Sequence, residues 1–390
     1  MHFPFGEMVI KMIDNELLMF LQTVPNETDL FVKQLKAEQD NKKIYLYGCG
    51  NHVRFVADYL KYHDIKITAI LDTFKEGIFS GIPVIRYSDF LAEKPDPEKC
   101  IIIISAPAKA KEISDNLKRS GNWNFWLFSS VLGIFMSDLD EYRNYLAQNW
   151  DEFIKFSNSL EDDLSRKTLE CVLKGKVSGD PKYFAECYAP NQYYPNDIIK
   201  FSDNEVMVDL GAYDGDSLSE FIKVCPEYRS AYCFEPQEEY FNKLNTIVKK
   251  QQKLGKNVHA IMKGAWEKSC KLQFRQNTGI GGSFSQDPCD ENAENICFLD
   301  VASVDEEVKE PITYMKMDIE GSELAALHGA KRQISENKPK LAVCVYHKTE
   351  DFLDIWNYLR SLVPEYKFYL RHHMKTEVSE TVLYAITDIK

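Results

Sequence analysis

A short apolar run that ends in an acid and a glycine-spaced turn constrains the fold of this chain most. Residues 206–217 read VMVDLGAYDGDS, so a buried strand is predicted to end near Asp209 and a helix to follow the turn. Gly211 and Gly215 let the backbone approach a ligand that a Cβ atom would block. The pattern predicts a binding site for a nucleotide-like cofactor at the carboxyl end of the strand. The alternative interpretation is a plain turn, in which the glycines are needed only for the backbone conformation.

Composition narrows the choice of partners. The 390 residues leave room for two domains of ordinary size. The chain has 47 basic and 60 acidic residues, a formal charge of −13, which argues against binding to nucleic acid or to an anionic membrane. A small molecule is the better default substrate. Ten cysteines occur without a CxxC pair, as expected for a protein of the reducing cytoplasm.

Residues 1–138 are predicted to form a Rossmann-like domain with a leading helix. Charges interrupt the apolar segment from Met8 to Val24, so it predicts an amphipathic helix and neither a signal peptide nor a membrane span. From Lys43 the chain reads KIYLYGCGNHVRFVADYL, a strand, a glycine turn and an amphipathic helix. Further strand-like runs lie at 67–71, 100–104 and 125–128. Strands separated by helical stretches predict a parallel sheet.

Residues 139–200 lack clear strands and are predicted to form a helical connector that ends in the proline- and tyrosine-rich YAPNQYYPND. Residues 201–390 then repeat the strand and helix pattern. Parallel strands are predicted at 206–210, 231–234, 258–262, 312–317 and 341–345. The last two strand-like runs, YKFYLRHH and TVLYAI, predict an antiparallel hairpin at the edge of this sheet.

The second predicted strand of this domain ends in YCFEP, which places Glu235 at its carboxyl end, 26 positions after Asp209. In doubly wound sheets, an acid at this place reaches the ribose hydroxyls of a bound nucleotide. The alternative is an exposed acid that caps the helix beginning at Pro236. Together with the preceding turn, Glu235 is predicted to be the ribose ligand.

The segment after the third strand, KGAWEKS, predicts the adenine end of the same site. Gly264 and Ala265 are small enough to admit a ring, and Trp266 can cover it, although a half-buried tryptophan is as often plain packing. The next segment, LQFRQNTGIGGSFSQ, predicts a hairpin with a loop at 279–283. This loop either closes over the cofactor or substrate, or contains glycines only because the hairpin turn requires them.

The fourth strand supplies a second acidic cluster. It reads ITYMKMDIEGSELAALHGA, with Asp318 at the strand end, Glu320 in the turn and Ser322 as the cap of a helix. In order along the chain, VDLGAYDGDS, FEP, GAW, DIEGSELAALHGA, VYHK and YLRHH resemble the FkbM family of S-adenosyl-L-methionine (SAM) dependent methyltransferases. The resemblance covers residues from about 201 to 390 and is weaker over the amino-terminal half.

The resemblance implies an α/β protein of two doubly wound domains. The second would be a class I SAM methyltransferase fold, with a mostly parallel seven-stranded sheet and a terminal antiparallel hairpin. It also implies methyl transfer from SAM to an oxygen of a sugar, a glycan or another small molecule. The predicted cofactor-binding residues are Asp209, Gly211, Ala212, Tyr213, Gly215, Ser217, Glu235, Pro236, Gly264, Ala265, Trp266 and Asp318.

A base that removes the acceptor's proton is predicted among Asp318, Glu320 and His347, all at strand ends. His347 is favoured as the base because an imidazole titrates near neutrality. The alternative role for His347 is structural, with its ring hydrogen-bonded to a neighbouring loop. His372 is a more distant candidate. A divalent cation on Asp318 and Glu320 is the weaker prediction, since two carboxylates make a sparse site.

Two rival functions stay open at this point. The first domain would support a nucleotide-sugar oxidoreductase or epimerase if Gly48 and Gly50 bound a dinucleotide and Asp72 a ribose, but Val53 stands where the third glycine is needed. The chain would alternatively be a SAM-binding protein without catalysis. The acceptor, and whether the protein is a homodimer, lie beyond the sequence.

Overall fold

Two large sheets and one small sheet organise the chain. The structure is a computed structural model that describes residues 13–50, 52–106, 109–127, 139–276, 282–285 and 296–387. Its strands are β1 Lys43–Tyr47, β2 Ile67–Asp72, β3 Gly77–Phe79, β4 Ile82–Arg86, β5 Cys100–Ile104, β6 Asn124–Leu127, β7 Val206–Leu210, β8 Ser230–Phe234, β9 Val258–Ile261, β10 Gly264–Ala265, β11 Cys270–Gln276, β12 Gly282–Ser285, β13 Ile296–Ala302, β14 Tyr314–Met317, β15 Lys340–Cys344, β16 Lys367–His372 and β17 Thr381–Ile386.

Helices separate most of these strands. They are α1 Asn15–Thr23, α2 Glu27–Glu38, α3 His52–Tyr62, α4 Tyr87–Ala92, α5 Ala110–Ser120, α6 Leu139–Gln148, α7 Trp150–Ser159, α8 Asp163–Ser178, α9 Lys182–Glu186, α10 Asp216–Val224, α11 Glu238–Lys253, α12 Val304–Glu307, α13 Glu323–Gly329, α14 Lys331–Asn337 and α15 Asp351–Leu362, with a 3₁₀ turn at Pro97–Lys99. None of the described helices combines the length and apolarity needed to cross a bilayer.

The first sheet has the order β3-β4-β2-β1-β5-β6, and all its neighbours are parallel except β3 and β4. Strand β5 reads CIIII and is buried along its whole length, as expected for the centre of a parallel sheet covered on both faces. The predicted Rossmann-like arrangement is confirmed. The β3 and β4 hairpin was missed because its strands are short and half exposed, so they carry no alternating pattern.

The second sheet has the order β16-β17-β15-β14-β7-β8-β9. Its strands run parallel except β17, which is antiparallel to both neighbours. This is the predicted mostly parallel seven-stranded sheet with a terminal hairpin, so the predicted fold class is confirmed. Side chains alternate between its two faces: Val206 and Val208 belong to one core, and Met207 belongs to the other.

The connector helices pack onto this second sheet. Phe153 and Phe156 of α7 and Leu169 of α8 share one core with Val208. Helix α1 joins the same core through buried side chains, although the boundary predicted at residue 138 groups it with the first domain. The helices of 139–200 therefore cover a face of the second sheet.

Candidate cofactor and active site

A cavity of about 300 Å³ lies along the carboxyl edge of the second sheet. It is lined by Asp318 after β14, Gly211 after β7 and Glu235 after β8, which are neighbouring strands. From β7 the next strand along the chain, β8, is added on one side, whereas β14 and the following β15 are added on the other side. The cavity therefore lies where the order of strands in the sheet reverses direction. Open α/β sheets bind their ligands at this point.

The turn after β7 requires its glycines. Gly211 has φ +80°, and a Cβ atom there would lie 1.9 Å from the carbonyl oxygen of Asp318. Gly215 has φ +91°, and its Cβ atom would lie 2.8 Å from Cδ1 of Ile247. The first contact is with backbone, which cannot move aside as a flexible side chain can. Gly211 thus brings the β7 and β14 ends together at the cavity.

We expect Gly211→Ala to lower the free energy of unfolding by at least about 2 kcal/mol, because the left-handed backbone and the backbone clash both oppose a side chain. Gly255 is a matched control: its φ is also +80°, but no atom lies within 4 Å of the place that a Cβ atom would take. Urea denaturation of both variants measures the difference. Equal losses in the two would show that the clash with Asp318 contributes nothing.

Glu235 lies at the cavity with its carboxylate held by the backbone. It accepts hydrogen bonds from the N–H of Tyr213 at 3.0 Å and of Gln237 at 2.8 Å. Burial raises the pKa of this carboxyl to about 7. Each oxygen keeps a second lone pair, so the group can still accept hydrogen bonds from a ligand.

Asp209 is fully buried and belongs to an ion pair beneath the cavity. Its Oδ1 lies 3.2 Å from Nζ of Lys316, and its Oδ2 accepts the hydroxyl of Ser217 at 2.5 Å. Lys316 also donates to the carbonyl oxygen of Gly211 at 2.7 Å. Burial alone would lower the pKa of Lys316, but the charge of Asp209 raises it above its ordinary value. The pair therefore joins β7 to β14 at the edge where the cavity opens.

Two tyrosines hold Asp318. The hydroxyl of Tyr193 donates to Oδ2 at 2.8 Å, and the hydroxyl of Tyr346 donates to Oδ1 at 3.0 Å. Burial would raise the pKa of Asp318, but Lys316 and His347 lower it below its ordinary value. Asp318 is therefore an oriented carboxylate at neutral pH.

His347 lies behind the cavity among three carboxylates, and its side chain is only 1% exposed. Its Nδ1 lies 2.9 Å from Oε1 of Glu323, and its Nε2 lies 3.5 Å from Oδ1 of Asp318. Glu320 is the third acid, with Oε2 at 3.8 Å from Nε2. Burial alone would lower the pKa of His347, but the acids raise it to about 10. The ring is therefore an imidazolium at neutral pH.

Glu320 reaches the cavity from a strained turn. It is a non-glycine residue with φ +57°, it lines the cavity, and its side chain is 30% exposed. Burial raises the pKa of its carboxyl to about 7. A strained residue with a shifted pKa beside a cavity is typical of a functional site.

Aromatic side chains from the small sheet cover the other end of the cavity. This sheet has the order β10-β13-β11-β12, and its β11 and β12 form the predicted hairpin. Phe274 and Phe284 line the cavity beside Gly264, where a Cβ atom would lie 2.5 Å from the Phe284 ring. Trp266 does not line the cavity; its ring centroid lies 6.4 Å from that of Phe284. The predicted loop at 279–283 lies mostly outside the described residues.

His372 and His373 are held within the fold. Nδ1 of His372 lies 2.8 Å from the hydroxyl of Thr381, and burial lowers its pKa to about 3. Nδ1 of His373 lies 2.7 Å from the carbonyl oxygen of Ala189, and burial lowers its pKa to about 4. Both rings are neutral and support the β16 end of the sheet.

Comparison with known proteins identifies the domain that holds this site. Residues 209–367 match the family model of the methyltransferase FkbM domain. A crystal structure of methyltransferase FkbM from Methylobacillus flagellatus KT has 25% sequence identity, covers 95% of this chain and 96% of its own, and superposes with a TM-score of 0.71. Residues 209–367 are therefore identified as a methyltransferase FkbM domain. The match identifies the second domain as a methyltransferase domain.

Other similarities are more distant. An rRNA methylase from Streptococcus thermophilus has 16% identity, with a TM-score of 0.31 over 48% of this chain and 89% of its own. Aeropyrum pernix fibrillarin with natively bound SAM has 12% identity, with a TM-score of 0.32 over 50% of this chain and 73% of its own. No curated protein matches the chain.

The domain that precedes the FkbM domain matches the family model of the PglD N-terminal domain over residues 43–117. Its predicted ribose ligand, Asp72, accepts backbone hydrogen bonds from Cys49 at 2.8 Å, Phe74 at 2.9 Å and Lys75 at 3.0 Å. These bonds lower the pKa of Asp72 although burial would raise it. Asp72 thus stabilises its own loop, and this arrangement adds no support for an oxidoreductase or epimerase.

The cavity of the FkbM domain is lined by some, but not all, of the site residues that were predicted from the sequence. The predicted residues that line it are Gly211, Tyr213, Glu235, Pro236, Gly264, Ala265, Asp318 and Glu320. Those that lie outside its lining are Asp209, Ala212, Gly215, Ser217, Trp266 and His347. Lining residues that the sequence motifs did not assign to the site are Tyr193, Asp216, Phe234, Gln237, Phe274, Phe284, Lys316 and Ile319.

One group in the FkbM domain has the composition of a metal site. Asp318, Glu323 and His347 each bring a ligand atom within 4.8 Å of the others. However, both oxygens of Asp318 accept tyrosine hydroxyls, and the raised pKa of His347 keeps both of its nitrogens protonated at neutral pH. The group is therefore a hydrogen-bonded ion cluster and not a suitable site for a resident cation.

Proposed function

We propose that this protein transfers the methyl group of SAM to a hydroxyl oxygen of a sugar, a glycan or another small molecule. The observation that carries the proposal is that one cavity brings together a ribose-type acid, Glu235, and an acidic pair, Asp318 and Glu320. Glu235 follows β8, and Asp318 and Glu320 follow β14. Strand β7 lies between β8 and β14, and neighbouring strands are about 4.8 Å apart, so the two strand ends are separated by two such spacings. That separation suits a cofactor bound at one end and a reaction at the other.

The lining residues fit SAM. Glu235 would accept the ribose hydroxyls, and the aromatic side chains of Phe274 and Phe284 beside Gly264 would enclose the adenine ring. Gly211 would let the backbone come close to the methionine part of the cofactor. SAM supplies an electrophilic sulfonium methyl group. The protein then has to align the acceptor oxygen with it, exclude water and take up a proton.

Glu320 is the base that the geometry favours. It faces the cavity and its pKa of about 7 lets it accept a proton at neutral pH. The sequence favoured His347, but that ring lies outside the cavity lining and already carries its proton. We assign His347 to positioning Asp318 and Glu320, and Asp318 to orienting the acceptor hydroxyl.

Binding of the demethylated product, S-adenosylhomocysteine (SAH), tests the cofactor site. At 100 times its Kd, SAH should stabilise the protein by about 2.7 kcal/mol in thermal denaturation. Glu235→Gln should weaken SAH binding by about 10- to 100-fold, because hydrogen bonds to a charged group contribute about 1.5 to 3 kcal/mol. Glu238→Gln is the control, since Glu238 lies outside the cavity lining. Absence of SAH binding in calorimetry would refute the proposed function.

The cysteines support a reducing compartment. The nine described cysteines are free thiols, and six of them are buried. We therefore place the reaction in the cytoplasm. Recovery of the active protein with these thiols oxidised to disulfides would contradict this placement.

A further inference from the structure

The methyl-transfer end of the cavity carries an excess of negative charge. We infer that it admits acceptors that are uncharged or cationic beside the reacting atom and rejects those with a phosphate or carboxylate there, and that Glu320 is the residue that sets this selection. The inference names the acceptor class of the same site, so it rests on the proposed function. Two observations support this selection: the charges of the side chains that line the cavity, and the ion pairs and hydrogen bonds that these side chains already form.

Acids dominate the described lining of the cavity. Asp216, Glu235, Asp318 and Glu320 are carboxylic acids, and Lys316 is the sole basic side chain among the lining residues that the structure describes. The two acids nearest the proposed reaction, Asp318 and Glu320, follow the same strand, β14. An anionic acceptor would therefore meet like charges in a partly desolvated site, where such contacts are costly.

The nearby cations are committed to other groups. Nζ of Lys316 lies 3.2 Å from Asp209 and donates to the carbonyl oxygen of Gly211. The His347 side chain is 1% exposed and contacts Glu323 at 2.9 Å. Neither cation can turn towards an acceptor phosphate without leaving a buried carboxylate unpaired, which is strongly unfavourable.

The hydrogen bonds around Asp318 point the same way. Tyr193 and Tyr346 donate their hydroxyl hydrogens to Asp318, so these hydrogens are not available to stabilise an anionic ligand. Nearby, the carboxylate of Glu380 is paired with the side-chain amide of Gln192. Carboxylates suit the hydroxyl hydrogens of a polyol or the hydrogens of an ammonium group, and they repel a second anion.

A pair of cofactor analogues measures this charge preference without the natural acceptor. SAH has a neutral sulfur at the transfer position, whereas sinefungin carries a protonated amine there that points towards the acceptor. We expect wild-type protein to bind sinefungin at least about 10-fold more tightly than SAH in calorimetry. Glu320→Gln should reduce the preference to below about threefold and leave SAH affinity within about twofold. Glu320→Asp, which keeps the charge, should retain most of the preference.

Glu350→Gln is the matched control, because it removes one charge from an exposed position in the same domain and should leave the ratio unchanged. Equal affinities for SAH and sinefungin in wild-type protein would overturn the inference and leave the proposed function standing. A ratio that falls equally in Glu320→Gln and Glu350→Gln would overturn the assignment to Glu320. Failure of both ligands to bind would overturn the inference together with the proposed function.

Discussion

Replacing Lys316 by methionine is expected to lower the free energy of unfolding by about 3 to 5 kcal/mol, because it leaves the carboxylate of Asp209 buried without its cation. Both side chains are at most 4% exposed and their charged atoms lie 3.2 Å apart. Methionine keeps the length of the side chain, so the loss reports the charge. Urea or guanidinium denaturation measures it.

The double variant Lys316→Met with Asp209→Asn removes both charges and should recover part of this loss. Lys263→Met, which breaks a partly exposed pair with Glu307, is the control and should cost at most about 1 kcal/mol. If Lys316→Met is no more destabilising than Lys263→Met, the pair does not hold β7 to β14.

Replacing Glu320 by glutamine is expected to lower kcat for methyl transfer by about 10²- to 10⁴-fold, the usual contribution of a positioned general base. SAH affinity should stay within about twofold, since Glu320 is placed at the acceptor end. The assay measures transfer of a labelled methyl group to a hydroxylated acceptor found by screening. Loss of SAH binding in parallel with turnover would contradict this division of roles.

The pH profile gives an independent test. A base must be ionised, and burial raises the pKa of Glu320 to about 7, so wild-type kcat should rise as pH increases through about 7 and level off above it. Glu320→Gln should lose this rise. If His347 were the base, its pKa of about 10 would place the rise near pH 10 instead.

The sequence predicted the fold well where burial leaves a simple pattern. Strands β5 and β7 are buried throughout and apolar except for Asp209 in β7, and both were predicted with their observed bounds. The two-residue β10 and strand β13 were missed. Strand β13 pairs with β11 and β10, and its exposed Phe298 breaks the alternation that would mark a half-buried strand. Such strands depend on long-range pairing more than on their own residues.

The site was predicted where a motif lies at a strand end, as at Gly211, Glu235 and Asp318. Lys316 had a readable signal that was overlooked: a lone lysine in the apolar run YMKM is costly unless it pairs with an acid on a neighbouring strand. The observed register places it beside Asp209. A charged residue inside a predicted central strand therefore predicts a partner at the same level of the next strand.

Other features had no local signal. Tyr193 lies 125 positions before Asp318 in the sequence, and only the folded connector brings their side chains together. The state of His347 depends on three acids, of which Glu323 was predicted only as part of a helix. A pKa set by neighbours from separate elements cannot be read from a strand-end position, which is why the sequence favoured this ring as a base.

The packing of the connector bears on how this protein can be divided. The shared family region begins at residue 209, yet α7 and α8 cover one face of its sheet, and Tyr193 supplies a hydrogen bond to Asp318. A fragment cut at the start of that region would expose an apolar sheet face and lose a wall of its cavity. The region that the family model matches is thus shorter than the portion that must be expressed together, and fusions or truncations should keep residues 139–208 attached to the methyltransferase domain.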